Sequence, residues 1–201
     1  MRGRFKPWAK PFLEAHPEIA AFDVASLDFQ EPLDLEIGAG KGDFALARAA
    51  ANPGRRLLAL ERDVSIAGLF AKKALEAGLT NLTILPLDFD AAFEGFSKMR
   101  FGSIFMNFSD PWPKKKHAKR RLTFAPRLKQ IASLLEEKGA IYVKTDNDVL
   151  YGFTKEQAIE AGLSIVSDEP DYQLASGDFL TEYESRFRGE GKAIHRLMIQ
   201  R

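Results

Sequence analysis

A carboxylate, an indole and a dense run of cations meet in one short stretch, Asn107-Phe-Ser-Asp-Pro-Trp-Pro-Lys-Lys-Lys-His-Ala-Lys-Arg-Arg-Leu122. Ser103 to Phe108 has the composition of a buried strand, and Asp110-Pro111-Trp112-Pro113 is a rigid turn at its end. The cations Lys114, Lys115, Lys116, Lys119, Arg120 and Arg121 follow within eight residues. An isolated basic cluster is most often a solvated face or a targeting signal. Fixed to a rigid turn beside Asp110, this one implies a site whose substrate is a polyanion. If all six cations grip phosphates, affinity falls with salt at a log–log slope of roughly −4 to −5. Trp112 is placed either to stack on a base or to pack under its flanking prolines. His117 is a bystander or a phosphate contact.

A second constellation lies earlier. Glu36-Ile-Gly-Ala-Gly-Lys-Gly42 follows one strand and opens a helix. Glycines at such a turn let the backbone approach a ligand and adopt torsions closed to other residues. The spacing is Gly-x-Gly-x-Gly, and Asp43 stands where a dinucleotide-binding loop has its third glycine. A pyrophosphate would meet that carboxylate, so a ligand without phosphate fits better. Glu61 ends the second strand, where an acid can take both ribose hydroxyls. Asp88 follows the third and can receive an exocyclic amino group. Glu36 can hold an ammonium group. Acid, glycines, acid, acid at successive strand ends suit S-adenosylmethionine, a nucleoside with a cationic sulfur and no phosphate.

These residues need a scaffold that brings strand ends together. The pattern predicts strands at Leu33–Ile37, Leu57–Leu60, Leu82–Leu85, Ser103–Phe108, Ala140–Lys144, Leu163–Val166 and Ala193–Ile199. Helices are expected at Asp43–Ala51, Val64–Ala77, around Ala91–Lys98, about Phe124–Glu137 and Val149–Glu160. Asp168 to Leu180 reads as polar and irregular, with Tyr183 and Phe187 anchoring the segment beyond it to the core. Alternating strands and helices imply an α/β fold, a doubly wound and mostly parallel sheet of seven strands. In such sheets ligands bind outside the carboxyl ends of the strands. At 201 residues the chain is expected to be one domain. It is expected to carry a basic lead-in over 1–31, a basic loop over 109–122 and a C-terminal substrate segment over 168–192.

Composition excludes several chemistries. The chain has no cysteine, hence no disulfide, thiolate metal site or thiol nucleophile. Its three histidines, at 16, 117 and 195, have no metal-ligand spacing, and no metal is expected. No apolar run reaches the roughly 18 residues of a membrane span, and the N-terminus lacks the apolar core of a secretory signal. A soluble, cytoplasmic protein is expected. The net charge of +1 conceals a segregation. Asp110 to Glu136 carries +8 with no intervening acid, the first thirteen residues carry +4, and −11 remains for the rest. Basic patches on an acidic body suit local binding of a polyanion.

Taken together, the motifs resemble the tRNA (guanine-N7-)-methyltransferases over nearly the whole chain. The resemblance rests on Arg2-x-Arg4 with Pro7-Trp8, Glu36-x-Gly38-x-Gly40-x-Gly42, the long stretch from Asn107 to Leu122, Lys144-Thr-Asp-Asn147 and Thr181-Glu-Tyr-Glu184. It implies a class I, Rossmann-like fold and methyl transfer from S-adenosylmethionine to N7 of the variable-loop guanine of tRNA, leaving S-adenosylhomocysteine. It further implies that Asp110 is catalytic, that Glu36, Gly38, Gly40, Glu61, Asp88 and Asp110 bind the cofactor, and that Lys114, Asp146, Thr181 and Glu184 meet the substrate. Lys115, Lys116, Lys119, Arg120 and Arg121 are then the RNA contacts. Nothing in the sequence requires a partner protein, and it leaves monomer and homodimer open. Two alternatives stand: an RNA amino-methyltransferase acting on adenine N6 or guanine N2, and a non-catalytic RNA-binding protein on the same fold. The single proline before the aromatic in Ser109-Asp110-Pro111-Trp112 argues against the first, and the intact acids and glycines against the second. The glycine spacing and the cationic loop disfavour a nicotinamide-dependent oxidoreductase.

Overall fold

The computed structural model describes residues 5–201; the Arg2-x-Arg4 part of the N-terminal motif lies outside them. The chain divides into two compact units, residues 1–100 and 101–201. The first contains helix α1 (Ala9–Glu14), strand β1 (Leu33–Ile37), α2 (Asp43–Ala51), β2 (Arg56–Leu60), α3 (Val64–Glu76), β3 (Leu82–Leu85) and the short α4 (Phe89–Ala92). Its strands run parallel in the order β3-β2-β1, with Leu35 opposite Leu58 and Ala59 opposite Ile84. Parallel strands covered on both faces need apolar residues at nearly every position. β3 and β1 are buried along their whole lengths, although β1 carries two acids, Asp34 and Glu36. Leu13, Ile19, Ala45, Leu57, Phe70 and Ile84 belong to one apolar cluster.

The second unit contains β4 (Phe101–Asn107), α5 (Ala125–Ser133), β5 (Leu135–Thr145), α6 (Asp148–Glu160), β6 (Ser164–Glu169), α7 (Glu182–Gly189) and β7 (His195–Gln200). β4 and β5 are parallel, whereas β7 runs antiparallel to both β5 and β6. The α/β class with seven mostly parallel strands is therefore as expected. Among the described residues no helix is long and apolar enough to cross a membrane.

Several boundaries move. The helix expected to run to Glu137 stops at Ser133, and β5 begins at Leu135. Phe101 pairs with Leu135 and Ser103 with Ala140, so a bulge absorbs the intervening residues. Gly139 permits it: a Cβ there would lie 2.8 Å from the carbonyl oxygen of Phe101. The lead-in carries a helix that the sequence reading omitted, α1, which packs on α3 with Ala9 against Gly68. The segment expected to be irregular keeps β6 to Glu169, and α7 follows after the turn-rich stretch.

Candidate active site

In the first unit the turn after β1 is stitched to the end of β2. The N–H groups of Gly38 and Ala39 both donate to the carbonyl of Leu60, at 2.9 and 2.8 Å. The next glycine N–H, Gly40, donates to Oε2 of Glu61 at 2.9 Å, while Oε1 accepts from the N–H of Asp63 at 2.8 Å. Burial pushes the Glu61 carboxyl above its usual range, against the pull of these two bonds. Glu36 lies inside β1 and is 1% exposed.

The glycines divide by role. Gly38 and Gly40 have φ of +84° and +58°, and a Cβ on either would meet nothing within 4 Å. The volume beside them is open to a ligand. Gly42, also at φ +84°, differs, because a Cβ there would sit 2.0 Å from the ring of buried Phe70. It is the packing glycine of the three. Asp43 is bonded to Lys73 at 2.5 Å. An open backbone cradle, a buried acid on β1 and an acid at the end of β2 suit a nucleoside bearing a positive charge. Asp88 is exposed and caps α4, its Oδ1 accepting from Ala91 N at 2.9 Å. Capping occupies one oxygen of that carboxylate and fixes its direction.

In the second unit the turn after β4 is strained. Phe108 and Trp112 have φ of +51° and +41°, in a region bulky side chains seldom adopt. They flank Asp110, which is exposed. Non-glycine residues at such torsions persist only where their surroundings hold them, and they concentrate at functional sites. The restraint here is Arg121, whose Nε donates to the carbonyl of Pro111 at 2.8 Å and whose Nη2 donates to that of Trp112 at 3.2 Å. Its guanidinium lies 4.3 Å from the centroid of the Phe153 ring on α6. Arg121 is 5% exposed. The sequence reading placed it among the phosphate contacts; the structure turns it inward to hold the turn. Lys114, Lys115, Lys116, Lys119 and Arg120 are exposed, on or beside a 3-10 helix over Lys115–Arg120. Trp112 packs edge-on against His117, and Arg120 stands 5.1 Å from the centroid of its ring.

The C-terminal segment is anchored by buried charge. Lys144, 3% exposed, bonds Asp178 Oδ2 at 2.7 Å and Glu184 Oε2 at 3.1 Å. Glu184, fully buried, also accepts from Arg188 at 2.8 Å. Thr181 caps α7, its hydroxyl accepting from Glu184 N at 2.9 Å. Of the expected substrate residues, Thr181 and Glu184 thus build and fasten α7. Burial works to raise the Asp178 carboxyl, but the bonds from Lys144 and Tyr172 outweigh it and hold it below its usual value. Tyr172 donates to Asp178 at 2.6 Å. Its hydroxyl is pushed up to about 12 by burial and then by that carboxylate. Asp146, just beyond β5, lies 3.5 Å from Lys192. The sequence reading gave no role to Lys192; its only signal there was a cation directly after Gly191, ahead of the last strand.

Solved structures define the class. The chain is similar to an antibiotic-related methyltransferase, with a TM-score of 0.62 at 14% identity over 89% of this chain and 98% of that one. It is also similar to the 16S rRNA methyltransferase KamB, with a TM-score of 0.61 at 17% identity over 98% and 94%. The fold is the class I, Rossmann-like methyltransferase fold.

Residues 30–197 match a family described as "Putative methyltransferase". The tRNA (guanine-N(7)-)-methyltransferase of Staphylococcus aureus strain Newman is 37% identical over 206 aligned positions, 98% of this chain and 96% of the relative. That of Macrococcus caseolyticus is 36% identical, covering 98% of each. The chain belongs to the tRNA (guanine-N7-)-methyltransferase family.

Proposed function

We propose that this protein transfers a methyl group from S-adenosylmethionine to N7 of the variable-loop guanine of tRNA. The observation that carries the reading is the Asp110 turn, strained on both sides and flanked by a cationic loop, in a chain aligned end to end with relatives of that name. S-adenosylmethionine, when bound, supplies a methyl group on a cationic sulfur. Glu36 holds its ammonium group, Gly38 and Gly40 give it backbone access, Glu61 takes the ribose hydroxyls and Asp88 the adenine amino group. The lone pair of guanine N7 is available at neutral pH, so no side chain has to remove a proton first. Catalysis then rests on alignment, which contributes up to roughly 7–11 kcal/mol in well-oriented systems. It rests also on carboxylates placed where positive charge develops on the base. Asp110 orients the base and stabilises that charge. Asp146 accepts from the N1–H and amino edge that distinguishes guanine from adenine. Lys114 and the exposed cations of the loop grip phosphates.

The test is incubation with labelled S-adenosylmethionine and two tRNA transcripts, one carrying 7-deazaguanine in the variable loop. Labelling of the unmodified transcript alone is expected. Equal labelling of both would transfer the assignment to an amino-methyltransferase, and cofactor binding without labelling would favour a binding protein. With no general base involved, the rate stays flat from about pH 6.5 to 9; a tenfold rise per unit there would contradict this role for Asp110.

A further inference from the structure

In the free protein one cation already sits between an aromatic face and an acid of the substrate half. The ammonium of Lys192 lies 4.2 Å from the centroid of the Phe187 ring and 3.5 Å from Oδ2 of Asp146. Phe187, on α7, packs at 5.7 Å between ring centroids on Phe108, the strained residue two positions before Asp110. The Lys192 side chain is 46% exposed, so it can leave without unmaking the core. It keeps a second partner outside the pair, Glu190 at 3.4 Å.

Resting on the function proposed above, the charge balance of the reaction gives this arrangement a purpose. Guanine N7 donates its lone pair to the methyl carbon as the carbon–sulfur bond breaks and that electron pair stays on sulfur. No proton moves, and the positive charge lost by sulfur appears on the base. A flat cation is recognised by an aromatic face and a nearby carboxylate. We propose that Phe187 and Asp146 form the receptor for the cationic N7-methylguanine ring, with Lys192 occupying it until the base enters. Phe187 is then a substrate-contacting residue rather than only an anchor of its helix. The site binds the methylated base, and the transition state leading to it, more tightly than neutral guanine.

The test uses the full chain without cofactor and compares its affinity for tRNA carrying N7-methylguanosine with that for the unmethylated transcript. Phe187 is replaced by a series of increasingly fluorinated phenylalanines, which keep the shape of the ring and drain its negative face. The wild type is expected to prefer the methylated tRNA by roughly tenfold, the upper part of the range for such contacts. That preference should shrink stepwise along the series while binding of unmethylated tRNA stays within about twofold. Lys192→Met should increase the preference by removing the resident cation. A preference unchanged by fluorination, or none in the wild type, overturns the proposal. So does a Lys192→Met variant that weakens both tRNAs equally with a salt slope smaller by about 1, the mark of a phosphate contact. Wild-type protein that methylates N7 while failing these tests would sink this inference alone; failure to methylate N7 would instead remove the reading beneath it.

Discussion

Arg121 and Pro111 are joined by a 2.8 Å hydrogen bond from guanidinium to carbonyl, and the same guanidinium reaches Trp112 at 3.2 Å. The last cation of the basic run thereby fixes the turn that presents Asp110. One planar fork satisfies two successive carbonyls, a geometry that an ammonium reproduces poorly.

Arg121→Lys should therefore lower kcat about tenfold while leaving the KM for tRNA nearly unchanged. Five cations remain for phosphates, so the wild-type salt slope should be roughly −3.5 to −4.5, and it should be the same in the variant. Neutralising Lys115, Lys119 or Arg120 singly should instead flatten the slope by about 1. Binding isotherms at four salt concentrations, beside steady-state kinetics, separate the two behaviours. A flattened slope in Arg121→Lys would return that residue to the phosphate contacts.

Lys144→Met strips the common counter-ion from Asp178 and Glu184. Removing one partner of a buried ionic network typically costs about 3–5 kcal/mol. Urea denaturation should show a loss of that size. A loss below about 1 kcal/mol, the range of exposed ion pairs, would mean that water reaches the network.

Glu61 gives a pH signature. Its carboxyl is raised by burial above the ordinary 4.5, so the folded state holds the proton more tightly than the unfolded one. This group therefore favours folding at low pH, and the benefit is lost as pH climbs from the ordinary value through the raised one. Glu61→Gln lacks that dependence. Its melting temperature minus that of the wild type should become more positive between about pH 4 and pH 7. Calorimetry should also show S-adenosylmethionine binding weakened by about tenfold or more, since hydrogen bonds to a charged acceptor contribute about 1.5–3 kcal/mol. A melting-temperature difference that is flat with pH would contradict the raised carboxyl.

Two glycines four residues apart should fail in different ways. Gly42→Ala meets Phe70 and retains a left-handed torsion, and should destabilise the protein by about 3 kcal/mol or more. Gly38→Ala meets no atom, so its stability cost is confined to about 1–2 kcal/mol of backbone strain. Its methyl group instead enters the volume assigned to the cofactor. Melting curves and cofactor titrations of both variants distinguish them; normal cofactor affinity in Gly38→Ala would move the cofactor away from that loop.

The parts legible in the sequence share one property: their signal is local. β1, α2 and β3 begin and end where the apolar runs and the Gly and Asn-Pro-Gly stops set them. There burial pattern and turn chemistry agree without help from distant residues. The strand-end placement of Glu61 and the turn around Asp110 follow from the same signals. β5 was misjudged at its start because Leu135 to Gly139 has helical composition. Pairing with Phe101 draws it into the sheet as a bulge, a long-range bond that propensity does not register. α7 was missed because its inward-facing residue is Glu184, and a search for apolar periodicity passes over a buried acid.

Composition and motif order by themselves determined the α/β class, the absence of thiol chemistry, the glycine-rich turn with its neighbouring acids after β1 and the basic segment after β4. Only the tertiary structure decided what each charge does. It turned Arg121 inward to the turn, buried Lys144 between two acids, gave Asp88 a helix to cap and set Lys192 on the ring of Phe187. The physical reason is that a charged side chain looks the same in sequence whether water, a phosphate or a buried carboxylate surrounds it. Those surroundings come from residues distant in the chain, which only the folded backbone brings within hydrogen-bonding reach.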